Sequence, residues 1–265
     1  MSKEAQEILE RSGNTFHFRV ANYLKQKGWE NRISPYYLDN ISNKPREIDL
    51  IAEKSWTTHD DFNINACGTI NIKLFIECKY LANKTTVFWF APKDNQAAIE
   101  LALKVSHLRP QHPALGDYHY TSGHESVAIL FETTGRGPNN LERDPFYKAL
   151  NQSLHAISAL RNEGSIIRPQ TNQQRLPRIV INPQHPVIIC NSFKNLFKVD
   201  SASPTTFEKI IDSYFQLEVN YCHVKTDGRK VSEYFLIDIV DFSKIDDYLA
   251  VLDKNILAIT SGNDL

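Results

Sequence analysis

Residues 70–80 restrict the fold of this chain more than any other segment, because apolar and polar side chains alternate along them. Ile70, Ile72, Leu74 and Ile76 fall on one side of an extended chain, and most of the residues between them are polar. Alternation of this kind predicts a β-strand with one face in the protein core. The charged residues Glu77 and Lys79 lie near the end of this strand, so the sequence predicts a group of charged side chains at the strand end.

Helical and strand-like patterns follow one another along the rest of the chain. Helical spacing of apolar residues predicts a first helix that ends before Gly28. Further helices are predicted at residues 95–106, 145–161, 205–215 and 244–252, and strands at residues 31–38, 46–52, 126–132, 178–182, 187–191, 217–225 and 230–240. The Asp227-Gly228 pair predicts a hairpin between the last two strands.

This order of elements predicts an α/β fold with a mixed central sheet flanked by helices. We expect residues 1–163 to form the core of the protein. Residues 164–265 are expected to form a β-rich α/β extension packed on the same sheet.

Composition excludes several classes of protein. The 265 residues have a net charge of -1, with 42% hydrophobic and 23% charged residues, which is ordinary for a globular chain and unlike disordered, collagen-like or coiled-coil sequences. No apolar stretch approaches the roughly 18 residues that span a bilayer, and the N-terminus has no apolar signal region. We therefore expect a cytoplasmic protein. The four cysteines form no CxxC pair, which favours neither a zinc site nor a disulfide framework.

Charge is distributed unevenly along the chain. Residues 136–178 carry seven basic and three acidic residues, whereas residues 200–265 carry six basic and twelve acidic ones. A polyanion is therefore expected to meet the middle of the chain rather than its end, with Arg136, Arg143 and Lys148 as candidate phosphate contacts. The alternative is that both regions are merely solvated surfaces.

Asp49, Glu77 and Lys79 are the residues whose types and positions indicate chemistry. Glu77 and Lys79 are two apart on one predicted strand, so their side chains leave the same face. Asp49 lies in the preceding strand, where pairing could bring it beside Glu77. Two carboxylates near an ammonium group suit Mg²⁺, which activates water and neutralises charge on a phosphodiester. The alternative is a cross-strand Glu–Lys pair on an exposed face.

Three blocks of the sequence, in this order, resemble the restriction-endonuclease-like PD-(D/E)XK nucleases. They are Gly-Asn-Thr-Phe at residues 13–16, Arg-Glu-Ile-Asp-Leu-Ile-Ala at 46–52 and Phe-Ile-Glu-Cys-Lys-Tyr at 75–80. The resemblance is greatest to the branch that includes archaeal Holliday junction resolvases and Mrr-type restriction enzymes. It covers residues 12–106 and implies a restriction-endonuclease-like core.

The resemblance also implies a role for each matching residue. Asp49 and Glu77 would ligate Mg²⁺, with the main-chain carbonyl of Cys78 as a third ligand. Lys79 would position or activate the attacking water. A glutamine in the following helix often assists in this family, and Gln96 is the candidate here.

The first block departs from the family pattern at His17, which stands where the family has a metal-proximal Glu. Imidazole is a poorer ligand for Mg²⁺ than carboxylate, so Mn²⁺ is an alternative ion. His17 is then either a metal ligand or a residue of the helix surface or packing. Glu10, one turn before this block, is another candidate to replace the missing acid.

The implied function is that of a metal-dependent endonuclease acting on DNA in defence, restriction or repair. Double-strand cutters of this class commonly pair, so a homodimer or a partner subunit is expected. The alternative is a catalytically weak nucleic-acid-binding or scaffolding subunit of a larger complex, which His17 and the near-neutral charge favour. A third interpretation is an unrelated α/β protein in which Asp49, Glu77 and Lys79 do not converge.

Two weaker features have structural interpretations. The run Val-Phe-Trp-Phe at residues 87–90 could stack on bases, but a core strand is the commoner explanation. Four histidines within residues 107–124 lack a repeated zinc spacing and are interpreted as loop residues.

Overall fold

The computed structural model describes residues 13–39, 44–59, 67–81, 84–106, 113–134, 144–161, 180–224 and 228–260, together with residues 2, 4 and 110. Among these residues, no helix combines the length and the apolar character needed to cross a membrane. Several residues named in the sequence analysis lie outside the described ranges, namely Glu10, His107, His112, Arg136, Arg143 and residues 164–178 of the predicted extension.

The described chain contains α-helices, β-strands and two short 3₁₀ turns. The helices are α1 (Gly13–Gln26), α2 (Asn95–Ser106), α3 (His119–Ser122), α4 (Pro145–Leu160) and α5 (Ile245–Thr260). The strands are β1 (Glu30–Ile33), β2 (Tyr36–Leu38), β3 (Pro45–Glu47), β4 (Leu50–His59), β5 (Cys67–Lys79), β6 (Thr86–Pro92), β7 (Ser126–Thr133), β8 (Val180–Ile181), β9 (Gln184–Cys190), β10 (Leu196–Asp200), β11 (Glu208–Lys209), β12 (Tyr214–Val224) and β13 (Lys230–Asp241). The 3₁₀ turns span Pro113–Asp117 and Phe242–Lys244.

One large mixed sheet organises these elements. Its strand order is β1-β4-β5-β9-β13-β12-β7-β6-β10-β11, with β8 beside β5, while β2 and β3 form a separate ribbon. Strand β5 is antiparallel to β4 and parallel to β9, and β12 and β13 form the predicted antiparallel pair. The predicted α/β class with a mixed central sheet is confirmed, and the strands that follow residue 180 lie in this same sheet.

Helices cover both faces of the sheet. Successive residues of a strand point to opposite faces, so neighbouring residues of β5 pack against different helices. On β5, Ile76 packs in a cluster with residues of α1, α2 and α5. Its neighbour Phe75 packs in a second cluster with residues of α4. The aromatic run of residues 87–90 supplies Phe88 and Phe90 to this second cluster, as expected for a core strand.

The predicted helix at residues 205–215 is wrong. This region holds the short strand β11 and the start of β12. Proline is common at the first position of a helix, and Pro204 therefore favoured the helix prediction. The apolar residues that follow it do not form one buried helical face, since Ile210 is buried whereas Phe207 and Ile211 are exposed. The prediction also missed β10, which extends the sheet beyond β6.

Two other strand predictions need correction. The apolar run at residues 127–131 is typical of a buried strand, yet in β7 Leu130 is 62% exposed and Ile129 is 38% exposed. The predicted strand at 46–52 is divided into β3 and β4 by a bend. A continuous strand would place Ile48 and Leu50 on one face. Instead, Ile48 packs with residues of α4 and Leu50 packs with residues of α1. This bend places Asp49 at the edge of the sheet.

Candidate functional site

The bend between β3 and β4 is fixed by backbone hydrogen bonds from the chain before β2. The N–H of Ser34 donates to the Asp49 carbonyl at 2.9 Å, and the N–H of Ile48 donates to the Pro35 carbonyl at 3.3 Å. Ser34 adopts a positive φ of 50°, which is unfavourable for a residue with a Cβ atom. With Ile48 anchored in one core and Leu50 in the other, Asp49 is turned towards the end of β5.

The last residues of β5 present both side chains and backbone groups to Asp49. The Lys73 N–H donates to Pro183 and the Lys79 carbonyl accepts from Asn191, so the odd-numbered residues of β5 direct their backbone groups to β9. Because these directions alternate along a strand, the N–H and C=O of Cys78 point towards β4. The Cys78 N–H indeed donates to Asp49 Oδ2 at 2.8 Å.

Asp49, Glu77 and Lys79 converge at this edge. Lys79 Nζ lies 2.9 Å from Glu77 Oε2 and 4.0 Å from Asp49 Oδ2. The Asp49 N–H also donates to Glu77 Oε1 at 3.4 Å. Glu77 is fully buried, whereas Asp49 and Lys79 keep 14% and 15% of their side chains exposed. The cluster therefore reaches solvent through Asp49 and Lys79.

His17 reaches the same cluster from α1. The buried residues Phe16 and Val20 hold one face of this helix in the core, and the adjacent His17 faces the sheet edge. His17 Nε2 lies 3.2 Å from Asp49 Oδ2. Burial lowers the pKa of His17, although Asp49 acts in the opposite direction, so the imidazole is neutral at pH 7.

The electrostatics of the cluster centre on Glu77. Burial, together with the nearby Asp49 carboxylate, raises the pKa of Glu77 to about 7, although Lys79 acts to lower it. Burial alone would lower the pKa of Lys79, but attraction by Glu77 and Asp49 outweighs it, and the pKa is raised. Two carboxylates thus share one ammonium group, which leaves the site short of positive charge.

This charge deficit and the oxygen donors fit a divalent cation. The carboxylates of Asp49 and Glu77, with the Cys78 carbonyl that points towards β4, are the hard ligands that Mg²⁺ and Mn²⁺ prefer. A cation there would stabilise the ionised form of Glu77, which burial otherwise disfavours. His17 adds a nitrogen donor next to Asp49 and is placed to act as a ligand or as a hydrogen-bond partner of that carboxylate.

The side chain of Gln96 forms its hydrogen bond within its own helix. It is exposed in the first turn of α2, where its side-chain amide donates to Glu100 of the same helix at 2.9 Å. The residues converging on Asp49 and Glu77 therefore do not include Gln96 in the described structure.

A second titratable cluster is buried between the sheet and α5. The ligand atoms of His119, His185 and Asp238 lie within 4.8 Å of one another. The loop interpretation is wrong for His119, which lies in α3 and is buried. Sequence reasoning missed Asp238, although an acidic residue inside the apolar run Leu-Ile-Asp-Ile-Val of β13 is a signal of a buried polar partner.

Hydrogen bonding favours a structural role for this second cluster over a metal centre. The backbone N–H of His119 donates to Asn255 Oδ1 at 3.0 Å. The Asn255 Nδ2 group therefore faces the imidazole and donates to His119 Nδ1 at 2.7 Å. His119 therefore carries its hydrogen on Nε2 and donates it to Asp238 Oδ2 at 3.2 Å. Burial lowers the pKa of His185 to about 3, and Tyr120 contacts its Nδ1 at 2.9 Å. The ligand positions are thus already engaged within the protein.

Comparison of the chain with protein-family models, with curated proteins and with solved structures finds no match.

Proposed function

We propose that this protein is an endonuclease that uses Mg²⁺ or Mn²⁺ to hydrolyse phosphodiester bonds in DNA. The observation that carries the proposal is the convergence of Asp49, Glu77 and Lys79 at one edge of the sheet. The resemblance of residues 12–106 to PD-(D/E)XK nucleases supports the same chemistry.

Each residue of the cluster would have a different role in such a reaction. Asp49, Glu77 and the Cys78 carbonyl would hold the metal ion, which lowers the pKa of a bound water and neutralises charge on the phosphate. Lys79 donates hydrogen bonds to the attacking water and to the phosphate oxygen that gains charge. His17 keeps Asp49 oriented through its contact with Oδ2.

Cleavage of supercoiled plasmid and labelled oligonucleotides in Mg²⁺ or Mn²⁺ tests the proposal. Lys79→Ala should lower the cleavage rate by about 100-fold or more, because it removes a charged donor from the reacting centre. Lys73→Ala is the matched control, since Lys73 is also a buried lysine of β5 and pairs with Glu53 at 2.9 Å. If wild type cuts nothing that Lys79→Ala leaves intact, the proposal is wrong.

A second candidate function is a nucleic-acid-binding or scaffolding subunit that has lost catalysis. The specific observation in its favour is His17, a neutral imidazole in contact with Asp49 where the resemblance implies an acid. This candidate predicts DNA binding that survives Asp49→Asn and Glu77→Gln, without cleavage and without binding of a divalent ion at the pair.

A further inference from the structure

A pocket of about 260 Å³ lies between the amino ends of the neighbouring strands β9 and β13. Residues of these two strands line it, together with the last turns of α2 and α4. Gln184, at the start of β9, pairs with Lys73 of β5, whereas Cys190, at the end of β9, pairs with Lys79. The pocket and the carboxylate cluster therefore lie at opposite ends of these strands, roughly 20 Å apart along β5.

The pocket exists because β9 and β13 pair along only part of their length. Their parallel register joins Val187 to Asp238 and continues to the carboxyl ends of both strands. Backbone groups of Pro183 and Asn191, on either side of β9, bond to β5, so the even-numbered residues between them direct theirs to β13. Pro186 is such a residue, and proline has no N–H to donate. The ladder therefore stops there, and an opening remains between the strands.

Glu233 lies at the polar side of the pocket, and its acceptor positions are all occupied. Arg161 donates to Oε1 at 2.9 Å and to Oε2 at 3.0 Å, Lys104 contacts Oε1, and His223 Nε2 lies 2.8 Å from Oε2. A carboxylate accepts about four hydrogen bonds, so Glu233 is saturated. Burial would raise its pKa, but hydrogen bonds from Arg161 and Lys104 outweigh burial and lower the pKa to about 2. The carboxylate is thus ionised and engaged within the protein.

The two cations beside Glu233 keep donors that this carboxylate does not use. Arg161 engages three of its five N–H groups, with Glu233 and with the Ile157 carbonyl at 3.4 Å. Lys104 engages one of its three with Glu233. Within the described ranges, neither side chain forms another hydrogen bond. Two positive charges with free donors face one saturated carboxylate, so this side of the pocket favours an anion and disfavours a cation.

Gln184 adds a hydrogen-bond acceptor to the lining. Its Nε2 donates to the Arg161 carbonyl at 2.8 Å, which fixes the orientation of the amide. Its Oε1 is buried and has no hydrogen-bond partner in the part of the chain that the structure describes. A buried acceptor without a donor is unfavourable, so a ligand that donates to Oε1 gains binding free energy.

The other walls of the pocket are apolar. They are formed by Leu101, Val105, Ile157, Phe235 and Leu236. The guanidinium of Arg161 lies over the Phe235 ring, 5.9 Å from its centroid, and so joins the polar side to the apolar one. Small-molecule sites combine such walls with a few polar groups, and those for drug-sized ligands measure roughly 300–1,000 Å³. The volume of this pocket suits a smaller molecule.

We propose that this pocket binds a small organic anion that has an apolar, ring-sized body and one hydrogen-bond donor. The anionic group pairs with Arg161 and Lys104, the donor reaches Gln184 Oε1, and the body lies against Phe235 and Leu236. The inference does not depend on the proposed nuclease function, because the pocket and the carboxylate cluster share no residue.

Ligand-observed NMR titration of the full chain in EDTA tests the inference with a series of matched probes. The acid p-hydroxyphenylacetate carries the anion, the ring and the donor, and it should bind with a dissociation constant of about 1 mM or lower. The neutral p-hydroxyphenylacetamide should bind about tenfold more weakly. Phenylacetate, which lacks the donor, should bind about fivefold more weakly. Tyramine, which has a cation in place of the anion, should not bind.

Variants locate the binding at the pocket. Lys104→Met removes one positive charge from a half-exposed position and should weaken binding of p-hydroxyphenylacetate by about tenfold. Lys198→Met is the matched control, because Lys198 also pairs with a glutamate, Glu208, at 3.1 Å, and lies near the end of the sheet on β10. Both Lys198→Met and Asp49→Asn should bind the acid like wild type.

Three results would overturn the inference. The first is absence of binding of p-hydroxyphenylacetate at about 10 mM. The second is equal binding of this acid and tyramine, since the charges of the pocket would then not select the ligand. The third is an affinity for the acid that Lys104→Met leaves unchanged.

Discussion

Glu77 combines features that are seldom found together in a residue with a purely structural role. Its side chain is fully buried, a second carboxylate lies beside it, and its cationic neighbour Lys79 is shared with that carboxylate. Burial and Asp49 together raise the pKa of Glu77 to about 7. The ionised form is therefore unfavourable in the protein without a metal ion, and this has a measurable effect on stability.

In EDTA, Glu77 should make the free energy of unfolding depend on pH. An acid with a pKa of about 7 in the folded protein and 4.5 in the unfolded chain binds more protons when folded, so its stabilising effect is present below pH 4.5 and is lost as pH rises through 7. Glu77→Gln removes this dependence. Between pH 5 and pH 8 the variant should gain up to about 3 kcal/mol relative to wild type, as measured by urea denaturation.

Glu53→Gln serves as the control for this measurement, because Glu53 is also fully buried and faces Lys73 across the same two strands. It is measured at the same pH values as Glu77→Gln. A constant difference between Glu77→Gln and wild type from pH 5 to pH 8 would contradict the electrostatic account of the site.

At the scale of elements, the sequence pattern was sufficient to predict a helix or strand where the apolar residues follow a single periodicity. The alternation at residues 70–80 predicted most of β5, and the apolar spacing at 95–106 predicted α2 with its observed bounds. The segment 205–215 has β-branched residues after a proline and no single apolar face, so its structure depends on where Ile210 finds a core. Propensity alone could not reveal that.

The bend before β4 is the element that positions Asp49. Ser34, whose N–H donates to the Asp49 carbonyl, adopts an unfavourable positive φ of 50°. Ser34→Gly should raise the free energy of unfolding by about 0.5–1 kcal/mol, because glycine adopts a positive φ without a steric cost. Ser34→Val should lower it by about 1–2 kcal/mol. It should also reduce the proposed DNA cleavage, since the bend that positions Asp49 is displaced. Thermal unfolding and the plasmid assay measure the two effects.

The same valine substitution at Ser126, an extended position of β7, provides the comparison. It should leave stability within about 0.5 kcal/mol, because β-branched residues suit strands. If Ser34→Val and Ser126→Val behave alike, the bend at Asp49 is not under the constraint described above.

At the scale of the whole molecule, the site could be predicted in part because its members are close in the chain. Strands β4 and β5 are consecutive and antiparallel, so Asp49 and Glu77 are brought together by local pairing. The insertion of β9 beside β5 joins residues about a hundred positions apart, and no local pattern encodes it. The buried contact of His119 with Asp238 has the same long-range origin.

The central claim is that Asp49 and Glu77 together bind a divalent cation, and isothermal titration calorimetry with Mn²⁺ and Mg²⁺ tests it most directly. Wild type and Glu53→Gln should bind the ion saturably, whereas Asp49→Asn and Glu77→Gln should each lose the binding heat. His119→Gln should bind the ion like wild type. Wild type that binds neither ion, or binding that persists in both Asp49→Asn and Glu77→Gln, would contradict the account.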